Sequence, residues 1–211
     1  MKIEAGQKIG ICGRSGSGKS SLLLALVGLI ETCAGSITID GIDIGTVPRE
    51  TVRQRLIAIP QHPFILPGTV RANADPYGLA PDVSIVSALT KVGVWSALAT
   101  RGGLDAMLSE QPLSQGEQQL FCLARAMLRK SKVLVLDEAT SSVDNETDNL
   151  VQRIIKEHFQ GYTIVSVAHR LDTIIDSAKI AVFDAGQLVE FDSPEKLLSR
   201  DNSLFRAMYR S

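Results

Sequence analysis

The sequence predicts an α/β fold, in which a mostly parallel sheet is flanked by helices and carries a helical insertion. Three observations lead there. Strand-like and helix-like segments alternate along the chain. Val133–Leu136 is an uninterrupted apolar run, as a parallel strand covered on both faces should be. From Pro63 to Leu113 the texture changes, and Pro63, Pro67, Pro76, Pro81 and Pro112 punctuate short helical pieces.

The elements follow in order. Lys8–Cys12 is mostly apolar and reads as a buried strand running into a Gly-rich loop. Lys19–Ile30 reads as a helix, with the apolar stretch from Leu22 expected to be buried. Ser36–Ile39 reads as a strand, turned by Asp40-Gly41. Arg49–Arg55 is a short charged helix after Pro48, and Ile57–Ile59 a strand stopped by Pro60. Val83–Val92 is a helical piece inside the insertion. Gln115–Arg129 is a strong amphipathic helix, because Leu120, Leu123, Ala124, Met127 and Leu128 share one face. Thr147–Phe159 is a helix and Thr163–Val167 a strand. Lys179–Phe183 and Gln187–Phe191 form a hairpin around Ala185-Gly186, and two short helices close the chain. The expected division is a core of about residues 1–61 and 129–211 with a helical subdomain of about 62–128.

Bulk properties exclude several roles. The chain has 211 residues and a net charge of −1, which gives no support for a nucleic-acid surface. No run reaches the roughly 18 apolar residues of a membrane span, and the first residues lack the apolar core of a secretion signal. Cys12, Cys33 and Cys122 show no metal-ligand spacing and read as small buried side chains.

Gly13–Ser20 reads GRSGSGKS and matches G-x-x-x-x-G-K-[ST]. The glycines let the backbone curl so that successive N–H groups face phosphate oxygens, and the following helix adds its positive end. Gly13, Arg14, Ser15, Gly16, Ser17, Gly18, Lys19, Ser20 and Ser21 are therefore the candidate phosphate binders. Lys19 reaches the outer phosphates, and the Ser20 hydroxyl suits Mg²⁺. The bland alternative is a Ser/Gly-rich turn, but the loop has a strand before it and a helix after it. The fold is then that of a P-loop NTPase.

Asp137 and Glu138 end the apolar strand, at the edge where open parallel sheets bind ligands. They would sit beside the phosphate loop if the two strands are neighbours. Asp137 would hold Mg²⁺ through water, and Glu138 would orient and deprotonate the attacking water. Upstream of this strand, Leu113–Gln118 reads LSQGEQ. Ser114 and Glu117 have the spacing of a capping box. Gly116 leaves the helix start bare, so its N–H groups could meet a phosphate from another protomer.

With these segments the chain resembles the ATP-binding cassette family, whose signature reads LSGGQ. The likeness spans GRSGSGKS, Gln61, LSQGEQ, VLVLDE, Ser141–Asp144 (SSVD) and His169. Gly68–Gly78 (GTVRANADPYG) with LDEATSSVD looks most like the second nucleotide-binding domain of C-type, multidrug-resistance-associated exporters. The resemblance implies that Gln61 links Mg²⁺ and the attacking water to a transmembrane partner. It implies that Asp144 belongs to the D-loop and that His169 is the switch histidine at the γ-phosphate. It further implies that two cassettes stack head to tail, with ATP between the phosphate loop of one and the Ser114, Gly116 and Glu117 region of the other.

Two features depart from the pattern. The chain begins almost on the phosphate-loop strand, where members usually carry antiparallel strands and an adenine-stacking aromatic. Weakened ATP affinity and a fragment of a larger transporter are the expectation. Gln115 and Glu117 also replace the usual Gly and Gln, and Glu117 brings a carboxylate towards a phosphate. The expected function is ATP hydrolysis coupled to transport. Glu138, His169, Lys19 and Gln61 are the catalytic candidates, Ser20, Gln61 and Asp137 the metal ligands, and ATP and Mg²⁺ the cofactors. The expected partners are a second cassette and a transmembrane domain on another chain or a missing segment, with no nucleic acid. The expected location is the cytoplasmic face of a membrane. The rivals are a non-hydrolysing regulatory cassette or inactive fragment, a soluble cassette ATPase and a P-loop kinase.

Overall fold

A computed structural model describes residues 1–110, 112–137, 144–168 and 170–210. The chain divides into two units. The first comprises Met1–Ala58, Ser131–Glu138 and Gly161–Ser211, and the second Ile59–Lys130 and Ala139–Gln160.

The first unit is organised by strands β1 (Lys8–Gly13), β4 (Ile57–Ile59), β5 (Val133–Asp137), β6 (Thr163–Val167), β7 (Lys179–Asp184) and β8 (Gln187–Asp192). Their order in the sheet is β4-β5-β6-β1-β7-β8. The pairs β5–β6, β6–β1 and β1–β7 are parallel, and β7–β8 is antiparallel. β1 is thus central, and its adjacent residues point to opposite faces. Ile11 joins a cluster with Val135, Val165, Leu23 of helix α1 (Lys19–Leu26), Val52 of α2 (Arg49–Arg55) and Leu56. Cys12 joins another with Ile180, Val182, Leu197 of α8 (Pro194–Ser199) and Phe205 of α9 (Leu204–Tyr209). Each such aliphatic, fully buried, contributes about 1.5–3 kcal/mol.

A small hairpin of β2 (Thr38–Ile39) and β3 (Ile42–Asp43) turns at Asp40 and Gly41, with φ of 51° and 81°. The β7–β8 turn uses Ala185 and Gly186, with φ of 46° and 81°. Two central residues at positive φ match the twist of the flanking strands.

The second unit holds α3 (Val70–Ala74), α4 (Asp82–Lys91), α5 (Trp95–Thr100), α6 (Gln115–Met127) and α7 (Asn145–His158). Helix α6 contacts α3, α4 and α7. Its burial extends beyond Leu120, Leu123 and Ala124 to Phe121 and Cys122, so it is enclosed on more than the one predicted face.

Two expectations are corrected. The first helix ends at Leu26, not Ile30, because the N–H groups of Val27 and Gly28 turn back to the carbonyls of Leu23 and Ala25 and Gly28 takes a φ of 69°. Leu29 and Ile30 beyond it are exposed, as is Leu24 on the outer face of the helix. Cys33 is exposed, because it lies in the irregular stretch beyond that helix, whereas Cys12 and Cys122 are buried. Among the described residues, no helix is long and apolar enough to cross a membrane.

Candidate nucleotide site

The phosphate loop is shaped by close backbone contact. Gly13 has a φ of 149°, and a Cβ there would lie 2.1 Å from the Phe183 carbonyl oxygen and 2.8 Å from Ser17 Oγ. Any side chain at position 13 would collide with β7. Gly16 and Gly18 take φ of 77° and 97°, in the left-handed region that favours glycine. The β7–β8 turn braces the loop from the other side, since the Gly186 N–H donates to the Ser17 carbonyl at 3.2 Å. The Gly18 Cβ position is only 3.6 Å from Gly186 Cα.

Lys19 is the electrostatic centre of the loop. Its side chain is 7% exposed, and Nζ donates to the carbonyls of Gly13 at 2.8 Å and Arg14 at 3.0 Å. Burying an ammonium is costly without such partners. They hold the charge at the mouth of the loop, where phosphate oxygens can replace them. Ser17 is 3% exposed, and its hydroxyl has no hydrogen-bond partner among the described residues. Arg14, Ser15, Gly16, Ser20 and Ser21 are exposed. Helix α1 starts at Lys19 with no side-chain cap, which leaves its first N–H groups available.

The strand carrying Asp137 is not the neighbour of β1, so the adjacency on which the place of the acid pair was made conditional is absent. β6 lies between them, with Val167 paired to Asp137 on one side and to Ile11 on the other. The physical reason is that Ile164–Val167 is itself an apolar parallel strand, able to take a central place. Two strand spacings put Asp137 and Ile11 roughly 10 Å apart. The Ala168 N–H donates to the Ile11 carbonyl at 3.1 Å, which continues the β6–β1 pairing to the end of β6. Glu138 and His169 lie outside the described residues.

In the second unit, Ser114 and Glu117 form the predicted capping box. Ser114 Oγ accepts from the Glu117 N–H at 3.3 Å, and Glu117 Oε2 accepts from the Ser114 N–H at 2.8 Å. The Glu117 carboxylate is therefore engaged within its own helix turn. A Cβ on Gly116 would lie 3.2 Å from Thr147 Oγ1 of α7. Asp144 caps α7, accepting from the Thr147 N–H and hydroxyl at 2.9 Å each. These bonds hold its carboxyl below the usual range. The glycine of LSQGEQ thus makes room for the residue that fixes Asp144. Gln61 is half-buried in the same unit, between Pro60 and Pro63.

Among the described residues there is no cluster of three or more His, Cys, Asp or Glu side chains that could hold a metal. Within the first unit, the Ser20 hydroxyl and the Asp137 carboxylate are oxygen donors of the kind Mg²⁺ accepts. Sequence reasoning missed Phe183, Gly186 and Thr147, whose contacts are made across long sequence separations and leave no local pattern.

A family model described as ABC transporter matches residues 1–141. The chain belongs to the ABC transporter family. This cassette is 49% identical over its whole length to ABC multidrug transporter B of Aspergillus fumigatus, covering 14% of that protein. It is 50% identical over 99% of its length to ABC multidrug transporter lscH of Purpureocillium lilacinum, again covering 14% of it. It is 44% identical over its whole length to ATP-binding cassette sub-family C member 10 of Mus musculus, also covering 14%. The cassette therefore spans about one-seventh of these relatives, and the last is of the C type that the sequence resembles.

Proposed function

We propose that this cassette binds and hydrolyses ATP as the motor of an exporter, paired head to tail with a second cassette and coupled to a transmembrane domain at the cytoplasmic face of a membrane. The observation that carries the reading is the buried Lys19 ammonium, held by the carbonyls of Gly13 and Arg14 in a loop too tight for any side chain at position 13. The loop N–H groups, the start of α1 and Lys19 bind the triphosphate. Ser20 and Asp137, with Gln61, hold Mg²⁺, which supplies charge neutralisation at the phosphates when bound. Glu138 orients and deprotonates the attacking water, and His169 contacts the γ-phosphate. Ser114 and Gly116 offer the start of α6 to the nucleotide of the partner cassette. Transmitting nucleotide-driven motion to membrane helices is the task assigned to the Gln61 segment.

A non-hydrolysing cassette would be favoured by a free carboxylate at Glu117, but that carboxylate is bonded to the Ser114 N–H. The test is ATP turnover by the cassette mixed with a partner cassette. Glu138→Gln should lower turnover by about 10²–10⁴-fold while ATP still binds. Hydrolysis at the unmutated rate would remove Glu138 from its role.

A further inference from the structure

The motif GTVRANADPYG has no part in the site described above, yet its Asn73 is among the most buried polar residues, at 1% exposure. Its side chain is fully used. Oδ1 accepts from the Leu66 N–H at 2.8 Å, and Nδ2 donates to the carbonyls of Leu66 at 2.9 Å and Thr69 at 3.0 Å. This staples the irregular stretch after Gln61 onto α3. The Asn73 carbonyl in turn accepts from Arg125 Nε of α6 at 2.8 Å. The Arg125 guanidinium carbon lies 5.8 Å from the ring centre of Phe64 and 5.8 Å from that of Phe121, within cation–π range. The Phe64 backbone also meets the Cys122 thiol. Cys122 and Arg125 are three residues apart and share one face of α6. One helix face therefore grips Phe64 twice, although the Phe64 side chain is 56% exposed.

We propose that Arg125 and Asn73 are positioning residues that lock the Gln61 segment to the LSQGEQ helix, so that Gln61 and the Ser114–Gly116 turn move as one body. Pro60, Pro63 and Pro67 stiffen the intervening chain by fixing φ, so holding Phe64 and Leu66 sets where Gln61 stands. Engagement of a nucleotide at the start of α6 is thereby felt at Gln61 through side chains rather than through a loose loop. The inference rests on the proposed reading of Gln61 as a ligand of Mg²⁺ and the attacking water.

The test has two arms on the 211-residue chain with Phe64→Ala, Arg125→Lys, the double variant and Phe64→Trp. Phe64 is exposed, so its replacement leaves the core intact. In the first arm, without nucleotide, amide hydrogen exchange over residues 64–69 should accelerate about tenfold in Phe64→Ala and Arg125→Lys, with residues 115–127 unchanged. Unaltered exchange over 64–69 overturns the lock whatever the activity. In the second arm, with a partner cassette, each single variant should lower kcat about tenfold and raise the Mg²⁺ concentration needed for half-maximal rate, with KM for ATP unchanged. The double variant should be no worse than either single one, and Phe64→Trp should recover the rate. Additive losses, or a loss of kcat matched by KM, overturn the positioning role. Absence of hydrolysis in the unmutated pair refutes the proposed function instead, and the exchange arm still decides the lock.

Discussion

A glycine can be required by what lies across from it rather than by its own backbone angle. Gly10 sits in the middle of β1, and a Cβ there would lie 2.6 Å from Cβ of Ile174, which is itself fully buried. Cβ is not a flexible tip, so the strand or the 170–174 turn has to move. Gly10→Ala should destabilise the fold by about 1–3 kcal/mol, the usual cost of overpacking, read from the urea midpoint. An unchanged midpoint would mean that the turn yields freely. At this scale the chain was only partly legible. Lys19 and Gly13 announce themselves because phosphate chemistry demands those residue types at that spacing. Gly10, Asn73 and Arg125 carry no such mark, since each answers a neighbour far away in sequence.

At the level of elements, local rules were the reliable ones. The capping box at Ser114 and Glu117, the Asp144 cap and both two-residue turns follow from neighbouring residues alone. Ser114→Ala deletes one acceptor for the bare N–H groups of α6 and should cost about 1 kcal/mol in urea unfolding. A loss below a few tenths of that would show that packing against α3, α4 and α7 fixes the helix start without its cap. Helix ends were less readable. The run Leu22–Ile30 is apolar throughout, and hydropathy gave no hint that Gly28 stops the helix early. Strand adjacency stayed open for another reason. Chain order does not say that β6 inserts between β5 and β1, because neighbours in a parallel sheet are chosen by crossover connections rather than by proximity in sequence.

For the whole molecule, stability depends on a thiol buried in the core. Burial, aided by Glu190, pushes the Cys12 thiol up to about 12, against about 8.5 in an unfolded chain. The unfolded chain therefore releases this proton first as pH rises. The associated stability is complete below about pH 8.5 and drains away between there and about 12, with a slope of about 1.4 kcal/mol per pH unit. Urea unfolding at several alkaline pH values should show this slope, and Cys12→Ala should remove it. A persistent slope in that variant would assign it to other groups. The sheet order has a further consequence, for synthesis. The Gly-rich loop of Gly13–Ser20 precedes in sequence the Phe183 carbonyl and the Gly186 amide that complete its shape. A nascent chain leaving the ribosome carries the lysine long before the strands that enclose it. The nucleotide cradle can close only after Gly186 has been made, so ATP is no guide for the folding of the segments between the loop and that turn.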